Sequence, residues 1–308
     1  MRHSGVQTVR GVACSVLASA LFGLIFYLSG VIDASPEAVF GWRMVITAAC
    51  YVLALTTAGA RRLLIELWHD VRARWTVALV LLTTSALVGF EMWLFAWAPV
   101  HGHGLDASLG YLLLPIALVL IGRVVFTERV TGLQSAAVSV AVVAVAVKVV
   151  ATLAVSWVTL GVCVGYALYF AVRRWFGTGT PVAFGVEVVL TLPVAVTLIA
   201  VSGGSSTAGA FAAVLVAGLA GAIAMSAYVG AAAMLSMPVF GLLSYLEPVL
   251  MFVVALVLGE RLSGVDVFVY LLLACALGVL AYAGFVSSRA PAGEREVSVQ
   301  QTGATSDA

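Results

Sequence analysis

The chain has 308 residues, of which 63% are hydrophobic and only 9% are charged. Too few polar side chains remain to cover a water-exposed surface, so a soluble globular protein is excluded and an integral membrane protein is predicted. The formal net charge of +1 gives no reason to expect nucleic acid as a partner. The four cysteines lie scattered inside apolar runs, which indicates packing side chains and not disulfides or a metal site.

Apolar runs of about 20 residues, long enough to cross a bilayer as helices, occur ten times along the chain. We therefore predict an all-α polytopic membrane protein with ten transmembrane helices. The predicted spans cover residues 9–31, 36–58, 75–97, 107–126, 131–150, 154–174, 182–202, 210–234, 239–258 and 264–286. The boundary between the fifth and sixth spans is the least defined. The polar tail, residues 287–308, is predicted to be disordered.

Several landmarks of the first half of the chain recur in the second half. The pair Phe40-Gly41 returns as Phe184-Gly185, and the series Tyr111, Pro115 and Glu128 returns as Tyr245, Pro248 and Glu260. Such self-similarity predicts an internal duplication, with residues 1–152 as the first five-helix repeat and residues 153–286 as the second. Because each repeat has an odd number of spans, the second is inverted relative to the first. Inverted repeats are typical of secondary transporters.

The arginines predict the orientation in the membrane. With the N-terminus inside the cell, 12 of the 15 basic residues fall on the cytoplasmic side. The loop between the second and third spans carries four arginines, whereas its counterpart in the second repeat, residues 202–207, carries no charge. We therefore expect both termini to be cytoplasmic.

One stretch of sequence resembles a known family. The run from Leu94 to Gly102, then Ala107 to Tyr111, Pro115 and Thr127-Glu128-Arg129 is similar to the RarD permeases. These belong to the EamA branch of the drug/metabolite transporter superfamily, and the resemblance covers about residues 10–286. It implies ten helices in two inverted halves, a substrate cavity between them, and transport of small metabolites or drugs across the bacterial inner membrane. The chain departs from the family pattern at Val100, where an asparagine commonly precedes the histidine.

Four ionisable side chains fall within predicted spans, where each costs about 3 kcal/mol unless it is paired or hydrated. Two of them, Arg43 and Glu91, both lie about 10 Å below the outer ends of their helices, at 1.5 Å per residue. They could form a structural ion pair that joins two helices. Alternatively, Glu91 carries a proton or contacts the substrate, with Arg43 controlling its charge. The sequence leaves both readings open.

The other two, Glu187 and Glu247, enter the membrane from the cytoplasmic side. They could share one water-filled cavity, where mutual repulsion would suit one of them to proton exchange. Alternatively, Glu187 reaches water or Arg173 by snorkelling. Glu247 precedes Pro248, and Pro115 occupies the matching helix of the first repeat. A proline removes a backbone hydrogen bond, so helix irregularities are predicted at both, either as binding-site markers or as plain kinks.

Aromatic side chains accompany these residues and could stack on a flat or cationic substrate, although aromatics near helix ends often serve as interfacial anchors. The candidates are Tyr27, Trp93, Tyr111, Tyr166 and Tyr245. In a short outer loop, His101, His103 and Asp106 have a spacing compatible with a metal, but three ligands in an exposed loop are weak evidence. We therefore predict no metal and no cofactor.

The sequence contains neither a phosphate-binding loop nor a nucleophile and base arrangement, so we predict neither an ATP-driven pump nor an enzyme. The prediction is a secondary transporter that works by alternating access, with the first to fourth and the sixth to ninth spans lining a central cavity and the fifth and tenth at the periphery. Proton coupling, uncoupled uniport and exchange stay open, and a sensor or enzyme on a transporter fold is the rival from another class. The expected partners are a small-molecule substrate and the lipid bilayer. Protons and a second copy of the chain are further candidates.

Overall fold

A computed structural model describes residues 2–127, 131–152, 156–203, 208–235 and 237–289, and these residues are almost entirely helical. The helices of the first half of the chain are α1 (Arg2–Val31), α2 (Pro36–Ala54), α3 (Ala58–Ala73), α4 (Trp75–Val100), α5 (Gly104–Val124) and α6 (Gly132–Thr152). Those of the second half are α7 (Trp157–Phe176), α8 (Pro181–Val201), α9 (Ala208–Met234), α10 (Met237–Ser244), α11 (Leu246–Val257) and α12 (Gly264–Arg289).

The predicted class, an all-α polytopic membrane protein, is confirmed. Within the described ranges, seven helices are long and apolar enough to cross a membrane: α1, α2, α4, α5, α6, α8 and α9. Two shorter apolar helices, Leu246–Val257 and Gly264–Leu280, follow near the C-terminal end. The predicted number of ten spans is therefore not confirmed.

Two features differ from the predicted spans. The arginine-rich segment between the second and third spans, expected to be a loop, forms α3, which is capped by the Thr57 hydroxyl accepting a hydrogen bond from the Ala60 N–H at 3.4 Å. The predicted ninth span is divided, because α10 ends at Ser244 and α11 begins at Leu246. By contrast, α5 runs through Pro115 as one helix.

Some predictions fall on residues outside the described ranges. They concern Glu128 and Arg129 in the family motif, the boundary at 153–155, most of the uncharged loop 202–207, and the tail from residue 290 onward.

The central core is built from helices of both halves. Its largest fully buried side chains include Phe26 of α1, Phe40 of α2, Leu94 of α4 and Met251 of α11. A separate cluster joins α6 and α12 to one side of α5, through residues such as Ala144 and Leu273. The helices corresponding to the fifth and tenth spans thus pack outside the central core, as expected.

The helices α2 and α8, which correspond to each other in the predicted duplication, begin in the same way. At α2, the Ser35 hydroxyl accepts a hydrogen bond from the Ala38 N–H at 3.2 Å, and Pro36 is the first helical residue. At α8, the Thr180 hydroxyl accepts a hydrogen bond from the Ala183 N–H at 3.2 Å, and Pro181 is the first helical residue. A capping hydroxyl followed by proline fixes a helix start, because proline lacks the N–H that would be unsatisfied there.

Candidate functional site

A hydrogen-bonded pair of tyrosines joins the two halves of the chain inside the central core. The hydroxyl of Tyr111, on α5, donates to the hydroxyl of Tyr166, on α7, at 3.1 Å, and the ring centroids are 5.3 Å apart. Phe95 of α4 packs edge-on against Tyr111 at 6.3 Å. We call Tyr111 and Tyr166 the tyrosine pair.

Three of the four predicted intramembrane charges lie around the tyrosine pair. Arg43 of α2 lies over the ring of Phe95, which packs on Tyr111. Glu91 of α4 lies against Gly165, the neighbour of Tyr166. Glu247 of α11 is within electrostatic range of both hydroxyls. Glu247 is half-buried in the first turn of α11, directly after the break at Tyr245. The structure therefore brings together residues that lie more than 200 positions apart in the sequence.

The ion pair that Arg43 and Glu91 could have formed is absent from the described part of the chain. Arg43 is 4% exposed, and its guanidinium donates to the backbone carbonyl of Met92 at 2.9 Å and lies over the ring of Phe95. Met92 faces Arg43, and neighbouring residues of a helix project in directions about 100° apart. The side chain of Glu91 therefore points away from Arg43, toward α7. It fills the space beside Gly165, where an added Cβ would lie 1.9 Å from Glu91 Oε1.

Glu91 is also fully buried and has no hydrogen-bond partner for either carboxylate oxygen within the described ranges. A buried polar group without a hydrogen bond is costly, and a buried charge costs more. The bundle therefore holds a carboxyl group that its own side chains do not satisfy.

The fourth predicted charge, Glu187 of α8, lies in a different environment. It is fully buried, and it accepts hydrogen bonds from Thr84 Oγ1 at 2.7 Å, Tyr169 Oη at 2.9 Å and an Arg173 nitrogen at 2.6 Å. Ser85 Oγ donates to the Glu187 backbone carbonyl at 2.9 Å. We call these five residues the Glu187 cluster.

Of the two groups that the sequence offered to Glu187, water and Arg173, the structure shows contact with Arg173. Glu187 is fully buried and does not extend to water, because the side chain of Arg173 reaches into the bundle and binds it. Arg173 also donates a hydrogen bond to the Thr180 carbonyl at 2.9 Å. Sequence reasoning considered Arg173 as a partner but missed the roles of Thr84 and Ser85. Two adjacent hydroxyl residues in the middle of an apolar span were the available signal, since such side chains often hydrogen-bond across helices in membranes.

A second polar cluster holds the N-terminus of α5 against the second half. The carboxylate of Glu260 accepts hydrogen bonds from the backbone N–H groups of Gly104 at 2.6 Å and Leu105 at 2.9 Å. Tyr270 Oη donates to the Leu105 carbonyl at 2.6 Å, and Thr159 Oγ1 donates to the Asp106 carbonyl at 2.8 Å. We call these contacts the α5 cap. A carboxylate at a helix N-terminus is favourable because it satisfies N–H groups that lack partners within the helix.

The structure does not bring the remaining predicted aromatic residues to the tyrosine pair. Tyr245 packs against the peripheral cluster of α6 and α12, and Tyr27 is 38% exposed. Trp93 lies at the edge of the central core, where it contacts Phe90 and Trp97. His103 pairs with Asp106 at 2.8 Å, while His101 stacks on Trp97 with ring centroids 4.0 Å apart.

The comparisons with known proteins bear on the family and the fold of the chain. No family model matches the chain. The chain is 35% identical over 283 residues to the chloramphenicol-sensitive protein RarD of Pseudomonas aeruginosa, covering 88% of this chain and 91% of that protein. It is 34% identical over 259 residues to an uncharacterized transporter of Haemophilus influenzae, covering 82% of this chain and 87% of that protein. A solved structure described only as a crystal structure of protein shares the fold, with a TM-score of 0.55 and 20% identity over 91% of this chain and 98% of that chain.

A helical bundle of this hydropathy, with ionisable side chains inside it and transporters as its relatives, defines a multi-pass membrane transporter. The sequence identity to the Pseudomonas protein, over most of both chains, also identifies the family. The chain belongs to the family of RarD-type permeases.

Proposed function

We propose that this permease is a secondary transporter that moves a small metabolite or drug-like molecule by alternating access, with the substrate bound at the tyrosine pair. The observation that carries the proposal is the fully buried carboxyl group of Glu91, whose two oxygens have no hydrogen-bond partner among the described residues. A membrane protein retains such a group at a cost, so it is best understood as a site for a proton or a ligand.

The packing of the helices supports two related halves. In the proposed duplication, α1 corresponds to α7, α4 to α9 and α5 to α11. The contact between α1 and α9 therefore corresponds to the contact between α7 and α4, and the contact between α1 and α11 corresponds to the contact between α7 and α5. In addition, α2 packs on α8, and α6 packs on α12. This pattern is expected if residues 1–152 and 153–286 are inverted five-helix repeats, with each helix taking its counterpart's partners. The shared start of α2 and α8 supports the same proposal.

Alternating access requires contacts between the halves that can open at one end while they stay closed at the other. Along α7, the residues Thr159, Tyr166 and Arg173 belong to the α5 cap, the tyrosine pair and the Glu187 cluster. They are seven residues apart, or about 10 Å at 1.5 Å per residue, and share one face of the helix. The tyrosine pair therefore lies between two polar closures about 20 Å apart.

The arginine distribution supports an orientation for these closures. With both termini in the cytoplasm of a bacterial cell, the α5 cap closes the outer side and the Glu187 cluster closes the cytoplasmic side. We propose that the substrate reaches the tyrosine pair when one of them separates, and that Glu91 or Glu247 exchanges a proton during the cycle.

The experiment is proton flux in liposomes that contain the purified protein. A pH-sensitive dye reports flux while amino acids, quaternary amines and amphenicols are added in turn, and transport of radiolabelled members of the panel is followed in parallel. The variants are Glu91→Gln and Glu247→Gln, with Glu66→Gln on the exposed helix α3 as the matched control.

We expect a substrate-dependent pH change that is lost in Glu91→Gln and kept in Glu66→Gln. Transport without any pH change would contradict proton coupling and leave an uncoupled uniporter or an exchanger of another ion. A fully active Glu91→Gln variant would remove Glu91 from the mechanism. If neither flux nor transport occurred with the panel, the rival reading of a sensor or enzyme on a transporter fold would be favoured.

A further inference from the structure

The helix α3, like the peripheral helix α6, contributes no residue to the central core. It has no fully buried residue, and only three residues at its start and one residue at its end separate it from α2 and α4. Three residues span at most about 10 Å, so α3 is held at the surface of the membrane that α2 and α4 cross. Its side chains therefore have both protein and lipid headgroups within reach.

Two faces of α3 have different neighbours. Leu67 and Val71 pack against Val77, Leu81 and Ala183 of the bundle. The adjacent face carries Ile65 and Trp68, which are 56% and 54% exposed and find no cover in the bundle. An amphipathic helix with such a face lies in the interfacial layer of a membrane, where tryptophan is favoured.

The arginines of α3 and its C-terminal cap fall into two pairs with opposite surroundings. Arg62 and Arg74 are paired with the acidic residues Glu66, at 2.9 Å, and Asp70, at 3.9 Å. Arg61 and Arg72 have no carboxylate partner among the described residues. Arg61 Nε donates to the Leu55 carbonyl at 2.7 Å, and the guanidinium of Arg72 lies 4.9 Å over the ring of Trp68.

The two arginines without a carboxylate partner flank the exposed apolar face. At 100° per residue, Arg61, Ile65, Trp68 and Arg72 lie within a stripe of about 60° on the helix surface. The face that packs on the bundle lies on one side of this stripe, and Arg62 and Glu66 lie on the other side. A stripe of two guanidinium groups that lack a carboxylate partner among the described residues, with an apolar centre, matches a phospholipid, which presents a phosphate beside acyl chains.

We propose that α3 binds anionic phospholipid headgroups through Arg61 and Arg72, with Ile65 and Trp68 inserted beside the acyl chains. A net negative lipid is favoured over a zwitterionic one because no carboxylate of the described chain neutralises these two arginines. This partner is independent of the transported substrate, so the proposal does not rest on the tyrosine pair.

The test is native mass spectrometry of the full-length purified protein, titrated separately with phosphatidylglycerol and phosphatidylcholine. The variant R61Q/R72Q is compared with the control R62Q/R74Q, which removes the same number of charges from the same segment but from the acid-paired arginines. Each arginine at an anionic surface contributes on the order of fivefold to affinity. We therefore expect R61Q/R72Q to weaken phosphatidylglycerol binding about 30-fold, and the control to weaken it by less than about threefold.

Equal losses in the two variants would show that overall charge decides binding, and would overturn the assignment to Arg61 and Arg72. The same holds if the wild-type protein does not distinguish phosphatidylglycerol from phosphatidylcholine. If R61Q/R72Q cannot be purified in folded form, R61K/R72K provides the test, because it retains both charges and should keep phosphatidylglycerol binding within about threefold. A loss as large as the one expected for the glutamine variant would contradict the proposal.

Discussion

Among the described residues, Glu91 and Glu187 are the two carboxylic acids that the bundle buries completely, and their surroundings are opposite. Glu187 accepts hydrogen bonds from Thr84, Tyr169 and Arg173, whereas neither oxygen of Glu91 has a partner within the described ranges. The comparison shows that burial by itself does not reveal what an intramembrane acid does. Its partners do.

The difference has a physical basis. A buried carboxylate that is paired with arginine and further hydrogen-bonded is held in one geometry, and removal of a partner leaves a charge that nothing compensates. A buried carboxyl group without partners contributes little to holding helices together, but it can take up a proton or a ligand without first breaking a contact. Glu187 is therefore suited to closing the bundle and Glu91 to exchange.

The largest expected effect is the loss of Arg173. The variant Arg173→Gln should lower the free energy of unfolding by about 3–5 kcal/mol, because Glu187 stays buried without its charged partner. Titration with a denaturing detergent measures this difference. The neighbouring variant Arg174→Gln is the control and should cost less than about 1 kcal/mol, since Arg174 is exposed and lies over the ring of Phe126. Equal losses for the two arginines would contradict the importance of the Glu187 cluster.

The next effect concerns the space that Glu91 occupies beside α7. An added Cβ at Gly165 would lie 1.9 Å from Glu91 Oε1, so Gly165→Ala requires the fully buried carboxyl group to move, and the free energy of unfolding should fall by about 1–3 kcal/mol. The double variant Gly165→Ala with Glu91→Ala should recover part of that loss, because the colliding carboxyl group is gone.

Gly161, one turn earlier on α7, provides the control for this prediction. An added Cβ there would lie 3.2 Å from Leu94 Cδ2, a contact that a small shift relieves. Gly161→Ala should therefore cost less than Gly165→Ala. The reverse order would mean that the side chain of Glu91 does not fill the space beside Gly165.

A smaller effect is expected at the tyrosine pair. Tyr111→Phe removes one neutral hydrogen bond of 3.1 Å and should cost about 0.6–1.5 kcal/mol of unfolding free energy. Tyr166→Phe should cost about as much, and the double variant little more than either, because both changes remove the same bond. Tyr27→Phe, at an exposed site, should fall within about 0.5 kcal/mol of the wild type. Fully additive losses would indicate that the two hydroxyls do not bond to each other.

The smallest effect on stability should come from the residue with the greatest effect on transport. Glu91→Gln should change the free energy of unfolding by less than about 1 kcal/mol, because no hydrogen bond within the described bundle is lost. Glu187→Gln should cost about 2 kcal/mol or more, since it weakens a charge-assisted contact with Arg173. A similar loss of stability in the two variants would remove the distinction between them.

Much of the architecture follows from local sequence properties. Long apolar runs predict spans because the bilayer requires about 20 residues of helix to satisfy every backbone group. Seven spans appear at the required length within the described ranges, and the helices of the fifth and tenth predicted spans lie at the periphery. Hydropathy missed α3 because its amphipathic pattern has too few apolar residues for a span. Hydropathy also gives no sign of the break between Ser244 and Leu246, which interrupts an apolar run without changing its composition, although Pro248 predicted an irregularity in that helix.

The candidate site divides in the same way. The sequence by itself determined which charges lie within apolar runs, because a charged residue in such a run is visible without a fold. It named five candidate aromatic residues but did not distinguish Tyr111 and Tyr166 from the other three. Only the tertiary structure decided which groups meet. Arg43 contacts Met92 and not Glu91, Arg173 contacts Glu187, and Glu91 has no partner of its own in the described chain. The physical reason is that contacts between helices depend on the rotation of each helix about its axis, which is set by the packing of the whole bundle and not by the depth of a residue along one helix.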